Sequence, residues 1–173
     1  SGRGNRPIRI QDFQDRVTER DVLQVIRPLV QPRYLDCSYG YRHPGRSREM
    51  ALAAAERAAT DQGRWIWISQ DLRDAFENVP RNRLMQIVRR LIPADDICAF
   101  LGRLVEQDKP RGIRQGGCLS PELLNIYLHW SLDRWWMQQF PGIPLFRVAD
   151  DILILLCEDE LDGVHAQLEQ RCR

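Results

Sequence analysis

Two adjacent aspartates, Asp150 and Asp151, divide two apolar runs, Leu-Phe-Arg-Val-Ala at 145–149 and Ile-Leu-Ile-Leu-Leu at 152–156. Apolar runs this short, joined by two residues, predict an antiparallel hairpin with both strands packed inward. Two-residue tips favour Asn-Gly or Asp-Gly, because the turn needs positive φ. An Asp-Asp tip suits the turn poorly and sets two like charges side by side. A local rule broken between two strong strands points to a site where strain serves chemistry. Taken alone the pair also reads as an exposed acidic turn, so a second carboxylate must decide.

Asp71 supplies it. Trp-Ile-Trp-Ile at 65–68 is strongly strand-like, and Asp71 closes the following Ser-Gln. A carboxylate at a buried strand end can face the tip of an adjoining strand. Asp71 and Asp150 together could hold two divalent ions about 3.5–4 Å apart, the clamp that activates a 3′-hydroxyl and steadies leaving pyrophosphate. Hard oxygen donors suit magnesium, which keeps waters and completes its shell from substrate phosphates. A third element, Gly112-Ile-Arg-Gln-Gly-Gly-Cys-Leu-Ser-Pro121, is a glycine-rich loop opening a helix. It allows close backbone approach to a ligand, although a plain loop-to-helix junction reads as well.

Charge distribution agrees with such a division of labour. The formal net charge is only +1, yet residues 1–114 carry 21 Lys+Arg against 15 Asp+Glu, and residues 115–173 carry 4 against 9. One part is suited to phosphates and the other to cations. Of the 25 basic residues only Lys109 is lysine, and arginine's planar fork bonds phosphate bidentately. The five cysteines show no C-x-x-C spacing, which reads as reduced thiols in a cytoplasmic protein rather than a zinc site or disulfide frame. No apolar run approaches the roughly 20 residues needed to span a bilayer, so no membrane partner is expected.

Between these points the chain reads as α+β, with helices backing a small antiparallel sheet. Thr18-Glu19-Arg20-Asp21 resembles a capping box ahead of Val22, Val25, Ile26 and Leu29, with Pro28 ending or kinking that helix. Ser38–Ser47 is loop-like, and Ser47 caps an Ala-rich helix that runs to Gly63. Pro80 opens a helix bearing Leu84, Ile87, Val88 and Leu91; Ile97, Leu101, Leu104 and Val105 mark another. Ser120-Pro121 begins a long helix with Leu124, Tyr127, Leu128, Leu132 and Trp135 facing inward. A short helix follows the hairpin.

Five ordered blocks resemble the reverse transcriptases of bacterial group II introns and their relatives. Arg6-Pro-Ile-Arg-Ile with Asp15-Arg16-Val17 is similar to the family's first fingers block. Ser38-Tyr-Gly-Tyr-Arg-His-Pro-Gly-Arg-Ser47 is similar to its second. Asp71-Leu-Arg-Asp-Ala-Phe76 resembles polymerase motif A, Arg114-Gln-Gly-Gly-Cys-Leu-Ser-Pro121 motif B, and Val148-Ala-Asp-Asp151 motif C. The resemblance implies a right-hand polymerase without its thumb: fingers at 1–60, palm with motif A at 61–78, fingers and palm helices with the motif B loop at 79–118, and palm with motif C at 119–173.

The resemblance also implies roles. Asp71 and Asp150 would be metal ligands, with the Leu72 carbonyl a third and Asp151 an auxiliary carboxylate, for two Mg2+ ions that Mn2+ can replace. Phe76 would reject a ribose 2′-hydroxyl by bulk. Arg73, Asp74 and Ala75 would border the triphosphate, with Arg6 above it and Gln115 near the sugar. Arg42 and Arg46 would touch the template. The implied partners are an RNA template, a DNA primer, a dNTP, and a thumb and further C-terminal domains; a homo-oligomer stays open. Val148 replaces the family's usual aromatic residue, and Cys118 stands where proline is common. Without a thumb, this stretch alone is expected to be inactive. Two rival readings stay open: a catalytically silent protein serving RNA binding or assembly, and a template-independent enzyme of phage defence. The intact Asp71, Asp150, Asp151 set favours an enzyme.

Overall fold

The computed structural model describes residues 12–42, 45–105, 111–114 and 116–172. In chain order the helices and strands are α1 (Phe13–Val30), α2 (Arg48–Gln62), β1 (Ile66–Asp71), a one-turn α3 (Ala75–Asn78), α4 (Arg81–Leu91), α5 (Asp95–Val105), α6 (Ser120–Leu128), α7 (Arg134–Gln139), β2 (Leu145–Val148), β3 (Asp151–Leu156) and α8 (Leu161–Cys172). A five-residue π turn, His129–Asp133, joins α6 to α7.

The three strands form one antiparallel sheet in the order β1-β3-β2. Side chains alternate across it, and each face is covered differently. Leu145, Ile152, Ile154 and Leu156 pack against Trp136 of α7 and Val164 and Leu168 of α8. On the opposite face Leu153, Leu155 and Phe146 meet Ala55 and Ala59 of α2, whose small side chains let the helix approach closely. A separate helical core unites Leu23 and Ile26 of α1, Leu84 and Val88 of α4, Leu101 of α5 and Leu124 of α6. Each such side chain contributes about 1.5–3 kcal/mol by leaving water.

Local signals explain several boundaries, and two expectations need correcting. The Ala-rich helix begins as read: the Ser47 hydroxyl accepts from the Met50 amide at 3.3 Å, and Gly63 ends it at φ 65°. In contrast, α1 starts five residues before Thr18. The Asp12 carboxylate accepts from the Asp15 amide at 2.9 Å, while the Thr18 hydroxyl donates back to the Gln14 carbonyl. Thr18 is therefore an interior residue, and Pro28 stays within the last turn.

The second correction concerns the long helix. The inward aromatic residue is Trp136, fully buried, and Trp135 is only half-buried. A π turn closes on i→i+5 rather than i→i+4, so the inserted residue advances the buried face by one position. It also turns His129 and Asp133 into the interior.

The loop at Ser38 begins as a short extended stretch alongside β2. Arg147 donates its amide to the Cys37 carbonyl at 2.7 Å, and Tyr39 donates to the Arg147 carbonyl at 2.8 Å. This is a parallel bridge on the sheet's β2 edge. The start of the second fingers-like block thus lies directly on the sheet.

Candidate active site

The end of β1 meets the start of β3 residue by residue: Gln70 pairs with Ile152 and Asp71 with Asp151. Directly opposed residues of an antiparallel pair share a face, with Cβ atoms about 4.5–5.5 Å apart. One step further, the Leu72 amide donates to the Asp150 carbonyl at 3.1 Å. Asp71, Leu72, Asp150 and Asp151 therefore gather at one end of the sheet, although 79 positions separate the first from Asp150. Asp71 and Asp151 are exposed, and Asp150 is half-buried.

The hairpin tip differs from the sequence reading. Val148 pairs with Asp151, so the two turn residues are Ala149 and Asp150, and Asp151 already belongs to β3. Ala149 sits at φ 59°, at the first turn position, where a two-residue hairpin needs positive φ and glycine is favoured. The departure from turn chemistry is real, but alanine carries it. Gly40 packs against this turn so closely that a Cβ there would stand 2.3 Å from the Ala149 nitrogen.

Motif A leaves the strand through a second strained residue, Asp74, at φ 49°. Aspartate tolerates this region better than most side chains. The Asp74 carbonyl accepts from the Glu77 and Asn78 amides at 2.9 and 3.0 Å, closing the turn of α3. Arg73 is almost fully exposed, 3.7 Å from the Asp74 carboxylate. Phe76 is half-buried against the helical core. The motif B side reaches it: Ile113 donates to the Phe76 carbonyl at 2.8 Å and Gly112 to that of Val79 at 2.9 Å. Gly112 sits at φ 94°, a conformation that disfavours a side chain, and a Cβ there would stand a tight 3.1 Å from the Glu77 carbonyl oxygen. A cavity of about 520 Å³ is lined by Leu72, Arg73 and Ala75 together with Arg83, Arg111 and Tyr127.

The remaining expected residues are distributed differently. Arg42 donates to the carbonyls of Leu35, Ser38 and Gln31 at 3.2–3.3 Å and lies over the Tyr34 ring. Arg46 ion-pairs with Asp36 and lies over the Tyr39 ring. Both line a groove of about 690 Å³ with Arg27 and Gln31, away from the aspartates. Arg6 and Gln115 lie outside the described residues.

Among the described residues, no three His, Cys, Asp or Glu side chains already converge as a metal cage. What converges is an open set of hard oxygen donors, the carboxylates of strand ends and turn. Such a set fits magnesium, which typically uses one or two carboxylates and takes other ligands from water and substrate phosphates.

Residues 2–173 match the family described as reverse transcriptase (RNA-dependent DNA polymerase). The chain belongs to that family. Among curated proteins it is 28% identical to Protein YkfC of Escherichia coli K12, over 97% of this chain and 54% of that protein. It is also 28% identical to the group II intron-encoded protein LtrA of Lactococcus lactis, over 77% of this chain and 23% of that one. The chain thus spans about half or less of these relatives, and the group II intron-like resemblance holds. Among solved structures, apo telomerase of Candida tropicalis aligns at a TM-score of 0.61 and 14% identity, covering 88% of this chain and 36% of that one. A Candida albicans telomerase complex with a telomeric RNA fragment aligns at 0.57 and 11%, covering 91% and 30%. These similarities identify the fold as that of polymerase fingers and palm.

This reverse transcriptase chain holds polar residues beneath the site that sequence reasoning passed over. Arg147 and Asp133 are fully buried and ion-paired at 2.7 Å. Burial works against the Arg147 charge, but the Asp133 carboxylate outweighs it and raises the pKa. Glu122, also buried, accepts from Arg27, Gln31 and Tyr34 at 3.2, 3.0 and 2.8 Å, tying α1 to α6. Burial first, then Glu122, pushes the Tyr34 phenol well above its ordinary value. One signal was legible: Arg147 has the same strand parity as the inward Leu145, so it belongs to the buried side.

Proposed function

We propose that this chain forms the fingers and palm of an RNA-directed DNA polymerase that adds dNMP to a primer 3′-end. The observation that carries the reading is the meeting of Asp71–Leu72 with Asp150–Asp151 across the β1–β3 pair. Asp71, the Leu72 carbonyl and Asp150 would hold two Mg2+ ions, with Asp151 beside them. When bound, these ions would supply the acidity that activates the 3′-hydroxyl and the charge that steadies leaving pyrophosphate. The chain's own residues position the nucleotide. Backbone amides of the turn at Arg73, Asp74 and Ala75 would face the triphosphate, the Phe76 ring the sugar, and Arg6 and Gln115 would complete that pocket. Arg42 and Arg46 would border the RNA template, using what their carbonyl and carboxylate contacts leave free. Residues 1–60 would then be fingers, 61–78 palm, 79–118 fingers and palm helices with the motif B loop, and 119–173 palm.

The support is threefold: family membership over residues 2–173, relatives that include a group II intron-encoded protein, and the intact aspartates at one sheet end. The test is metal-dependent primer extension, by the full-length protein that carries this chain, on an RNA template, a DNA template and no template. Asp150→Asn and Asp71→Asn should each retain the melting temperature and lower incorporation by about a thousandfold or more, the several kcal/mol that metal-borne charge stabilisation supplies. Incorporation without template points to the template-independent reading, and an inert parent protein to a scaffold.

A further inference from the structure

We infer that Arg147 is a positioning residue for the active-site turn, holding Asp150 in place through the peptide that precedes it. The inference rests on the polymerase reading above and adds to it a group that touches neither substrate nor metal.

Direction at Asp150 is set by the two peptide planes on either side of its Cα. The plane after it is anchored by the Leu72 amide, which donates to the Asp150 carbonyl at 3.1 Å. The plane before it is anchored by Arg147, whose Nη1 donates to the Ala149 carbonyl at 2.9 Å. With both planes fixed, the φ and ψ of Asp150 are fixed, and with them the line along which its carboxylate leaves the backbone. The first anchor comes from motif A itself. The second comes from a side chain two residues upstream and wholly out of water.

That anchor is needed because the turn is strained. Ala149 takes φ 59° where a side chain opposes it, so an unheld turn would relax and carry Asp150 with it. The anchor is also rigid. All five guanidinium N–H groups of Arg147 are used: Nε and Nη2 on the two Asp133 oxygens at 2.7 Å, Nη1 on the Asn125 amide oxygen at 2.9 Å besides Ala149, and Nη2 on the Ser38 hydroxyl at 2.9 Å. Asn125 then donates to the Gly40 carbonyl at 2.7 Å, which presses Gly40 against the Ala149 nitrogen. The π turn places Asp133 where it can hold the guanidinium. The fork therefore has one available pose, and Ala149 is locked to α6, to the π turn and to the strand-like start of the Ser38 block. A dry, fully satisfied network of this kind is stiff.

Removing Arg147 alone would strip the buried Asp133 of the guanidinium that hydrogen-bonds it and destabilise the whole protein, a trivial reason for lost activity. The informative variant is Arg147→Met with Asp133→Leu, which replaces the pair with apolar side chains. Primer extension by the full-length protein that carries this chain gives kcat, KM for dNTP and the Mg2+ concentration at half-maximal rate, beside a thermal melt. The expected result is a folded protein whose kcat falls about 10–100-fold, with half-saturating Mg2+ raised and KM for dNTP nearly unchanged, as for other loosened ligand supports. Adding Ala149→Gly should return part of that kcat, since glycine accepts the turn without being held. A folded double variant with parental kcat and Mg2+ dependence overturns the inference; so does a loss of kcat that glycine leaves untouched. Should the double variant not fold, Ser38→Ala takes its place, with the same split expected at smaller size and a parental kcat counting against it. Failure of the polymerase reading would look different: the parent itself would not extend a primer.

Discussion

On the proposed reading, Phe76 would decide the sugar that the site accepts. It follows Asp71 by five positions, stands half-buried against the helical core, and its carbonyl is held by Ile113. A ring fixed on one side and open on the other can exclude a 2′-hydroxyl by bulk alone. Phe76→Ala should therefore raise the ratio of rNTP to dNTP incorporation by about tenfold or more, worth 1.4 kcal/mol or above, with the melt little changed. If instead the variant melts about 3–5 kcal/mol less stable, the ring is core and selectivity lies elsewhere. Gly40 poses a steric question at the same scale. With backbone atoms of Val148 and Ala149 within 3.1 Å of a would-be Cβ, no side-chain rotation can make room. Gly40→Ala should cost about 1–3 kcal/mol in a urea melt, as overpacking does; an unchanged midpoint would mean that the Ser38 block moves freely off the turn.

The π turn is the element whose consequences reach furthest. By advancing the inward face one position it buries Trp136 instead of Trp135 and brings Asp133 beneath the sheet. It also buries His129, with Nδ1 unpartnered and 3.9 Å from the Asp133 carboxylate. Burial pushes the His129 imidazole down to about 4, against the opposing pull of Asp133. A depressed histidine is neutral when folded, whereas the unfolded chain binds a proton below about pH 6.5. Between pH 4 and 6.5 the unfolded state holds more protons, so stability rises with pH across that window and falls toward acid. The loss reaches on the order of 3 kcal/mol below pH 4. Carboxylates also titrate there, so the comparison that isolates the imidazole is with His129→Leu. Melts at pH 4, 5 and 6.5 should show a flatter dependence in the variant, and parallel curves would mean that the folded imidazole takes up its proton over the same range as the unfolded one.

At the scale of the molecule, charge and contact pull apart. The basic excess lies in residues 1–114 and the acidic excess after them. Several arginines are already committed: Arg42 to three carbonyls, Arg46 to Asp36, Arg64 to Glu160, Arg147 to Asp133. Those four are not free for phosphates, and 24 acidic residues offset most of the remaining basic ones. This chain alone should bind an RNA–DNA template–primer weakly, with log K falling against log salt by a slope of about −2 to −4, since the slope counts phosphates neutralised. Filter binding across salt concentrations tests this, and tight, steeply salt-dependent binding would show that the free arginines form a larger footprint.

Much of this was legible before any fold was known, because it rests on local chemistry. The apolar runs around Asp150-Asp151, the strand before Asp71, the Ser47 and Gly63 caps and the order of the motifs each depend on a few neighbouring residues. Residue type at fixed spacing carried the family and singled out the candidate aspartates. What tertiary structure alone decided depends on partners far away in the chain. Whether Asp71 would face Asp151 was a matter of strand register. The turn fell on Ala149-Asp150 because Gly40 and Arg147 hold alanine in a conformation that it avoids by itself. Trp136 displaced Trp135 because a π turn inserts a residue, and Arg147 could be buried only because Asp133, Asn125 and Ser38 together satisfy its fork. A buried charge is tolerable only when every bond it needs is supplied, and those bonds span 109 positions of sequence between Ser38 and Arg147.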